Sequence, residues 1–290
     1  MVSAGLGHAR AGAIPNLDSV PEMSEWRPQF DPAARPGPRS PVFAFNDGRM
    51  LAGEEGVPLL EELPPGLLEG PRPVCIGTLD GEPCFAAAVD AVEGMTPLRA
   101  LFEILPEPLA AIAGRAAQTV EWELAHLFCG RCGTATEPSE TELARICPRC
   151  GSSYYPRINP AVIMLVTRGE RFLLARRAGA RVPFWSVLAG FVEPAETLEQ
   201  AVVREVREEV GLEVEDVRYV ASQPWPFPSQ LMVGFTAESP AGEIVLDDAE
   251  LAEAAWFGPG DKLPPVPPPF TIARRLIDGF RDRRPPAPSR

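Results

Sequence analysis

The stretch Gly190-Phe191-Val192-Glu193-Pro194-Ala195-Glu196, followed after seven residues by Arg204-Glu205-Val206-Arg207-Glu208-Glu209-Val210-Gly211-Leu212, decides how this chain is read. As a pattern it is G-x5-E-x7-R-E-U-x-E-E-x-G-U, with U apolar, and every specified position is filled. Glu205, Glu208 and Glu209 stand at i, i+3 and i+4, so a helix gathers their carboxylates on one face. Leu198, Val202, Val206 and Val210 recur every four residues, a second stripe suited to burial against a sheet. Gly211 closes the helix, where a left-handed residue is favoured. Carboxylates collected beside a glycine-bearing strand end make a hard-oxygen cage for Mg2+ or Mn2+. The competing reading is a solvated acidic face with a salt-bridging Arg204. So many fixed positions at fixed spacing argue against it.

A second motif lies upstream. Cys129-Gly-Arg-Cys132 and Cys147-Pro-Arg-Cys150 form C-x2-C-x14-C-x2-C. Four thiolates at this spacing close a tetrahedral Zn2+ site, one ion per chain, each pair contributing two sulfurs from one knuckle. Gly130 and Gly133 are expected to permit the tight knuckle turns. His126 is close in sequence, but four cysteines complete the coordination without it. The expected role is a structural clip between two domains; a nucleic-acid-reading ribbon and a redox pair are the alternatives.

The composition sets outer limits. The chain has 290 residues, 45% of them hydrophobic and 23% charged, with a net charge of -13. That charge opposes general binding to nucleic acid or anionic membrane, though not a dedicated nucleotide pocket. No apolar run approaches the ~20 residues of a membrane span, and the N-terminus lacks a basic region followed by an apolar core. A cytoplasmic location is the expectation, with the six cysteines as metal ligands or free thiols rather than disulfides.

Along the chain, residues 1–40 read as a flexible tail, 41–125 as a small α+β domain, 126–156 as the zinc ribbon, 157–282 as the catalytic domain and 283–290 as a second tail. In the first domain Asp80-Gly81 joins two apolar runs in a hairpin that buries Cys75 and Cys84. Residues 97–128 read as helix, interrupted at Pro106 and Pro108, with Leu98, Leu101, Ile104, Leu109, Ile112, Ala116, Val120 and Leu124 on the apolar stripe. Strands are expected at 161–167, 171–177, 185–192, 217–222, 231–238 and 254–258, and a closing helix at 271–280. Sheet and intervening helices predict an α/β/α sandwich, within an α+β chain overall. Ser222-Gln223-Pro224-Trp225-Pro226-Phe227-Pro228 reads as a stiff loop whose alternating rings suit base stacking. A plain surface turn with Trp225 plugging a core is the alternative.

The 190–212 segment resembles the Nudix box, the signature of hydrolases that cut a nucleoside diphosphate linked to another moiety. Ala195 departs from the glycine usual there; if that residue needs positive φ, alanine costs roughly 1 kcal/mol. Box, ribbon and proline-aromatic segment in this order resemble the NADH pyrophosphatase (NudC-like) family from about residue 95 to 280, with the first domain a degenerate Nudix relative. The resemblance implies hydrolysis of NAD(H) to nicotinamide mononucleotide and AMP, action on NAD-capped RNA, and a homodimer. It places Mg2+ or Mn2+ on Glu205, Glu209, Glu250 and the carbonyl of Ala189, with Glu208 in the same cluster. By the same likeness Phe191 and Tyr155 sandwich the nicotinamide, Tyr155 coming from the other subunit. Further substrate contacts fall on Gln223, Pro224, Trp225, Pro226, Phe227, Pro228, Ser229 and Gln230, and on Glu142, Ile272 and Arg99. Gln230 stands where the family has serine. Glu209 is expected to orient or deprotonate the attacking water, and Arg204 to fix the glutamates from behind, with Glu196 behind them. The rivals are a box hydrolase of another diphosphate, such as ADP-ribose, and a non-catalytic nucleotide-binding module.

Overall fold

A computed structural model describes residues 26–53, 56–179 and 184–282, and the segments 1–25 and 283–290 read as tails lie outside them. Two compact units result. Among the described residues, one holds 26–161 together with 223–232; the other holds 162–222 and 233–282.

The first unit begins with β1 (Trp26–Pro28), β2 (Val42–Asn46), β3 (Arg49–Leu51), β4 (Val74–Leu79), β5 (Glu82–Ala88) and β6 (Met95–Pro97). These form a sheet in the order β1-β4-β5-β2-β3-β6, with β2 parallel to β5 and the other pairs antiparallel. The β4–β5 hairpin turns at Asp80 and Gly81, both with positive φ (53° and 83°), a type I′ geometry that suits the strand twist. Helices α1 (Leu98–Ile104) and α2 (Glu107–Ala125) follow, split where Pro106 removes a donor and sets the break. Phe43, Met50, Ile76, Leu98, Leu101, Ile112 and Ala116 are buried together, each large side chain contributing roughly 1.5–3 kcal/mol. Cys75 and Cys84 are buried free thiols as expected, and burial pushes Cys84 up to about 12.

Two expectations need correction. Residues 26–40 are not all tail, because β1 pairs with β4 and Trp26 packs on the core, filling the space left by the missing side chain of Gly77. A three-residue strand in a proline- and alanine-rich stretch has too short a period to be seen. At the ends of the helical stripe, Ile104 and Leu124 are exposed, since α1 and α2 are separate helices and one phase does not run through both.

The ribbon is the small sheet β7 (Glu137–Pro138), β8 (Arg145–Ile146) and β9 (Ser153–Tyr154), in that order. Next come β10 (Asn159–Arg168), β11 (Arg171–Arg177), β12 (Trp185–Ser186), β13 (Leu188–Phe191), α3 (Leu198–Val210), β14 (Glu215–Trp225), β15 (Gln230–Glu238), β16 (Leu251–Phe257) and α4 (Ile272–Arg281). Their strands run β12-β11-β10-β15-β14, with β13 beside β10 and β16 beside β11. Val162 to Val166 is a continuous apolar run, and all five residues are buried, as a strand covered on both faces requires. The expected strand 185–192 is divided at Val187. The proline-aromatic segment is also only partly a loop: β14 carries through Gln223-Pro224-Trp225 before the turn. Among the described residues no helix is long and apolar enough to cross a membrane.

Candidate active site

The helix α3 starts where its sequence says it should. Thr197 caps it, its hydroxyl accepting from the Gln200 amide at 3.2 Å while the Gln200 side chain accepts from Thr197 N at 2.9 Å. Gly211 ends it at φ 68°, as expected from its position. Ala201, Val202, Val206 and Val210 are buried, and this inward stripe draws two of the three acids with it. Glu205 is 9% exposed and Glu209 is 6% exposed, whereas the Glu208 side chain is 59% exposed. The three carboxylates therefore do not share one environment. Glu205 and Glu209, four residues apart, border the apolar stripe; Glu208 lies toward water.

Two residues hold Glu205. Gly190, near the end of β13, leaves the space its carboxyl fills: a Cβ there would sit 1.8 Å from Glu205 Cδ. Arg204 then fixes the acids by charge-assisted hydrogen bonds. Its Nη1 donates to Glu205 Oε1 at 2.8 Å and to Glu208 Oε2 at 2.9 Å. Its Nε donates to Glu196 Oε1 at 2.8 Å, and Nη2 donates to Glu196 Oε2 and to the Phe191 carbonyl. One guanidinium thus ties the strand end, the loop and the helix together. Glu196 also accepts from Glu193 N, so it orients the arginine from behind.

The loop after residue 242 reaches this helix through its backbone. Val245 N donates to Val210 O and Asp247 N to Glu209 O, while Ala178 N donates to Glu250 O. That pairing delivers Glu250 and Asp247 to the surroundings of Glu209, along with Arg177, 3.9 Å from Glu250. Burial pushes the Glu209 carboxyl up to about 8, and the charges of Glu205 and Glu250 push the same way. Glu205 is also raised, by burial first, with Arg204 opposing. Glu209 Oε2 is buried and has no hydrogen-bond partner. An orphaned buried carboxylate oxygen among other acids is what a divalent cation satisfies, so these donors suit a hard ion.

Ala195 takes φ 66°, the conformation its departure from glycine raised as a condition. Ala195→Gly is expected to stabilise the protein by about 1 kcal/mol in denaturant unfolding, without changing turnover.

The residues assigned to substrate by resemblance fall into separate groups. In the second unit Phe191 is 53% exposed at the end of β13, and Ile272 is buried with its side chain against Gly234 of β15, facing core rather than solvent. In the first unit the Tyr155 hydroxyl donates to Glu142 at 3.0 Å, both side chains being exposed. The Gln223–Gln230 segment packs with the first unit. There the Phe227 ring meets Trp225 at 5.0 Å and Phe102 at 5.3 Å, and the Arg99 guanidinium lies over both Trp225 and Phe227.

In the ribbon, Sγ atoms of Cys129 and Cys150 are 3.6 Å apart, Cys132 and Cys147 3.5 Å, and Cys132 and Cys150 3.8 Å. Sulfurs around a tetrahedral zinc with bonds of about 2.3 Å lie about 3.8 Å apart, so the four thiols fit that ion. Each knuckle closes by a matching bond, Gly133 N to Cys129 O and Gly151 N to Cys147 O. Gly133 and Gly151 carry the positive φ, so the second knuckle glycine is Gly151 and not Gly130. His126 donates from Nδ1 to the Trp122 carbonyl at 2.8 Å, which leaves it outside the tetrad. Arg145, buried, bonds Thr136 and the His126 carbonyl and pairs with Glu123 of α2, fastening the ribbon to that helix.

Family models match three successive segments of the chain. The NUDIX domain matches residues 157–275, the NADH pyrophosphatase zinc ribbon domain 124–155, and the NADH pyrophosphatase-like rudimentary NUDIX domain 39–122. A protein of Deinococcus radiodurans described as NAD-capped RNA hydrolase NudC is 45% identical over 250 residues, 83% of this chain and 87% of its own. The chain belongs to the NudC-like Nudix hydrolases. A relative with the same description from Salmonella heidelberg is 47% identical over 222 residues, 75% of this chain and 86% of its own. A Nudix hydrolase structure from Nitrosomonas europaea is 31% identical and covers 45% of this chain and 77% of its own, with a TM-score of 0.40. The family's ribbon and rudimentary domains also account for the first domain and for the four clustered cysteines. The Nudix assignment does not point to Arg177 and Asp247, which the strand end and the 243–250 loop bring beside the Nudix glutamates. No spacing links either of them to the box, so only the fold could find them.

Proposed function

We propose that this chain hydrolyses the pyrophosphate bond of NAD(H), giving nicotinamide mononucleotide and AMP, and removes NAD caps from RNA 5′ ends. The single observation behind the chemistry is the buried, unpartnered Oε2 of Glu209 among Glu205, Glu250 and Asp247. The substrate reading rests on relatives described as NAD-capped RNA hydrolases and on the NADH pyrophosphatase ribbon and rudimentary domains.

Glu205, Glu209, Glu250 and the Ala189 carbonyl would hold Mg2+ or Mn2+, which neutralises phosphate charge and acidifies water at the phosphorus. Glu209 takes the water's proton: burial and the neighbouring acids raise its carboxyl without an ion, and a divalent cation at this cluster would keep it ionised and able to accept at neutral pH. Arg204 keeps Glu205 and Glu208 in place, and Glu196 keeps Arg204 in place. The exposed ring of Phe191 offers a face for the nicotinamide; by the family likeness, Tyr155 from the second subunit of a dimer supplies the other face, and residues 223–230 select the dinucleotide. With this goes a homodimer, for which the exposed apolar side chains of Phe128, Tyr155 and Ile158 offer surface. A cytoplasmic setting accords with Cys75 and Cys84 as free thiols beside a zinc-binding tetrad of cysteines.

The test is NADH with Mg2+ and with Mn2+, products separated by chromatography, beside ADP-ribose and an NAD-capped RNA. AMP and the reduced mononucleotide are expected. Intact NADH under both ions, or release of free nicotinamide, would sink the proposal. Equal kcat/KM on ADP-ribose would replace it with a less selective hydrolase.

A further inference from the structure

A buried glycine stands inside α2, at 114 of Glu107–Ala125, where it costs about 1 kcal/mol relative to alanine. The space it leaves is used. A Cβ on Gly114 would lie 2.8 Å from Pro226 Cγ, 3.3 Å from Phe102 Cζ and 3.4 Å from Pro226 Cβ. Pro226 is buried, and its ring cannot swing aside as a flexible side-chain end would. Around this seat the Phe102 ring meets Phe227 edge-on at 69°, and the Arg99 guanidinium lies 4.9 Å from the Phe227 centroid and 5.4 Å from that of Trp225. Three residues farther on, Asn159 N donates to Ser229 O at 2.8 Å and Asn159 Nδ2 to Ser229 Oγ at 2.9 Å. The 223–232 tip is therefore held at Trp225–Phe227 onto the rudimentary domain and at Ser229 onto the chain that follows the ribbon.

We propose that Gly114 is a positioning residue for the reaction: the notch it makes in α2 seats Pro226 and so fixes the register and ring orientations of the substrate-selecting tip. The inference rests on the reading in which residues 223–230 select the dinucleotide. It gives the rudimentary domain a task, that of a template for the tip, reached through Gly114, Phe102 and Arg99. A stacking surface assembled before binding loses less conformational freedom when the base arrives.

Gly114→Ala in the full-length chain tests it with two readouts. Helix propensity alone predicts a variant at least as stable as the parent. A lost seat predicts instead that KM for NADH rises about 3- to 10-fold with kcat within twofold, a factor of 10 being 1.4 kcal/mol. Amide exchange should speed up across 225–229 while the rest of α2 keeps its protection. In a Pro226→Ala background, which lacks the clashing Cγ, the effect of Gly114→Ala on KM should vanish. Unchanged exchange at 225–229 overturns the inference, as does exchange raised evenly across the N-terminal sheet. Should the parent protein not cleave NADH, the substrate reading falls, and the exchange pattern alone decides the seat.

Discussion

Glu209→Gln should give a folded protein with turnover reduced at least about 100-fold, because it removes both the ion's charged ligand and the proton acceptor. Wild-type turnover in this variant would remove Glu209 from the mechanism. The same substitution has a second effect. The Glu209 carboxyl titrates at about 8 in the fold, above the ordinary value of 4.5. With the folded value raised, its contribution is fully present below pH 4.5 and is lost as pH rises through 8. Without divalent ions the parent should therefore lose stability across that window, and the glutamine variant should not. Near pH 9 the variant is expected to be the more stable by more than about 1 kcal/mol in urea. Ion affinity in the parent should in turn rise with pH up to about 8, as the proton leaves; flat affinity from pH 6 to 9 would contradict this.

Stripping the ribbon of zinc should be as damaging to the fold as Glu209→Gln is to turnover. Apparent binding energies of structural zinc in small fingers run about 10–16 kcal/mol, and the short strands β7, β8 and β9 offer little core to replace it. Metal analysis should give one zinc per chain. Chelation, or Cys147→Ser, should lower Tm by about 10 °C or more, since each kcal/mol moves Tm by roughly 2–4 °C in a chain of this size. Exchange should rise first over 127–155 and in the last turn of α2, where Glu123 meets Arg145. A chelated protein with unchanged Tm would show that the thiols fold without the ion.

Much of this architecture is local enough to be read in the sequence. Thr197, Gln200 and Gly211 mark the ends of α3 with groups that bond only at a helix terminus. The two Cys-x-x-Cys pairs and the Asp80-Gly81 turn likewise carry their geometry within a few residues. What the sequence hid depends on partners far along the chain. Spacing alone puts Glu208 with Glu205 and Glu209, yet burial separates it from them. Trp225 and Phe227 read as free platforms, but α1 and Gly114 claim their surroundings. Gly114 itself carries no signal until Pro226 is found against it.

Arg204 has one further consequence. Its single positive charge already answers Glu196, Glu205 and Glu208, so the acidic cluster starts partly balanced instead of as an open well of negative potential. A divalent cation meets a tethered positive charge beside it, one that already bonds Glu205 Oε1. Lone Mg2+ should thus be held loosely and exchange readily, and firm capture should await the extra negative oxygens that an incoming diphosphate brings.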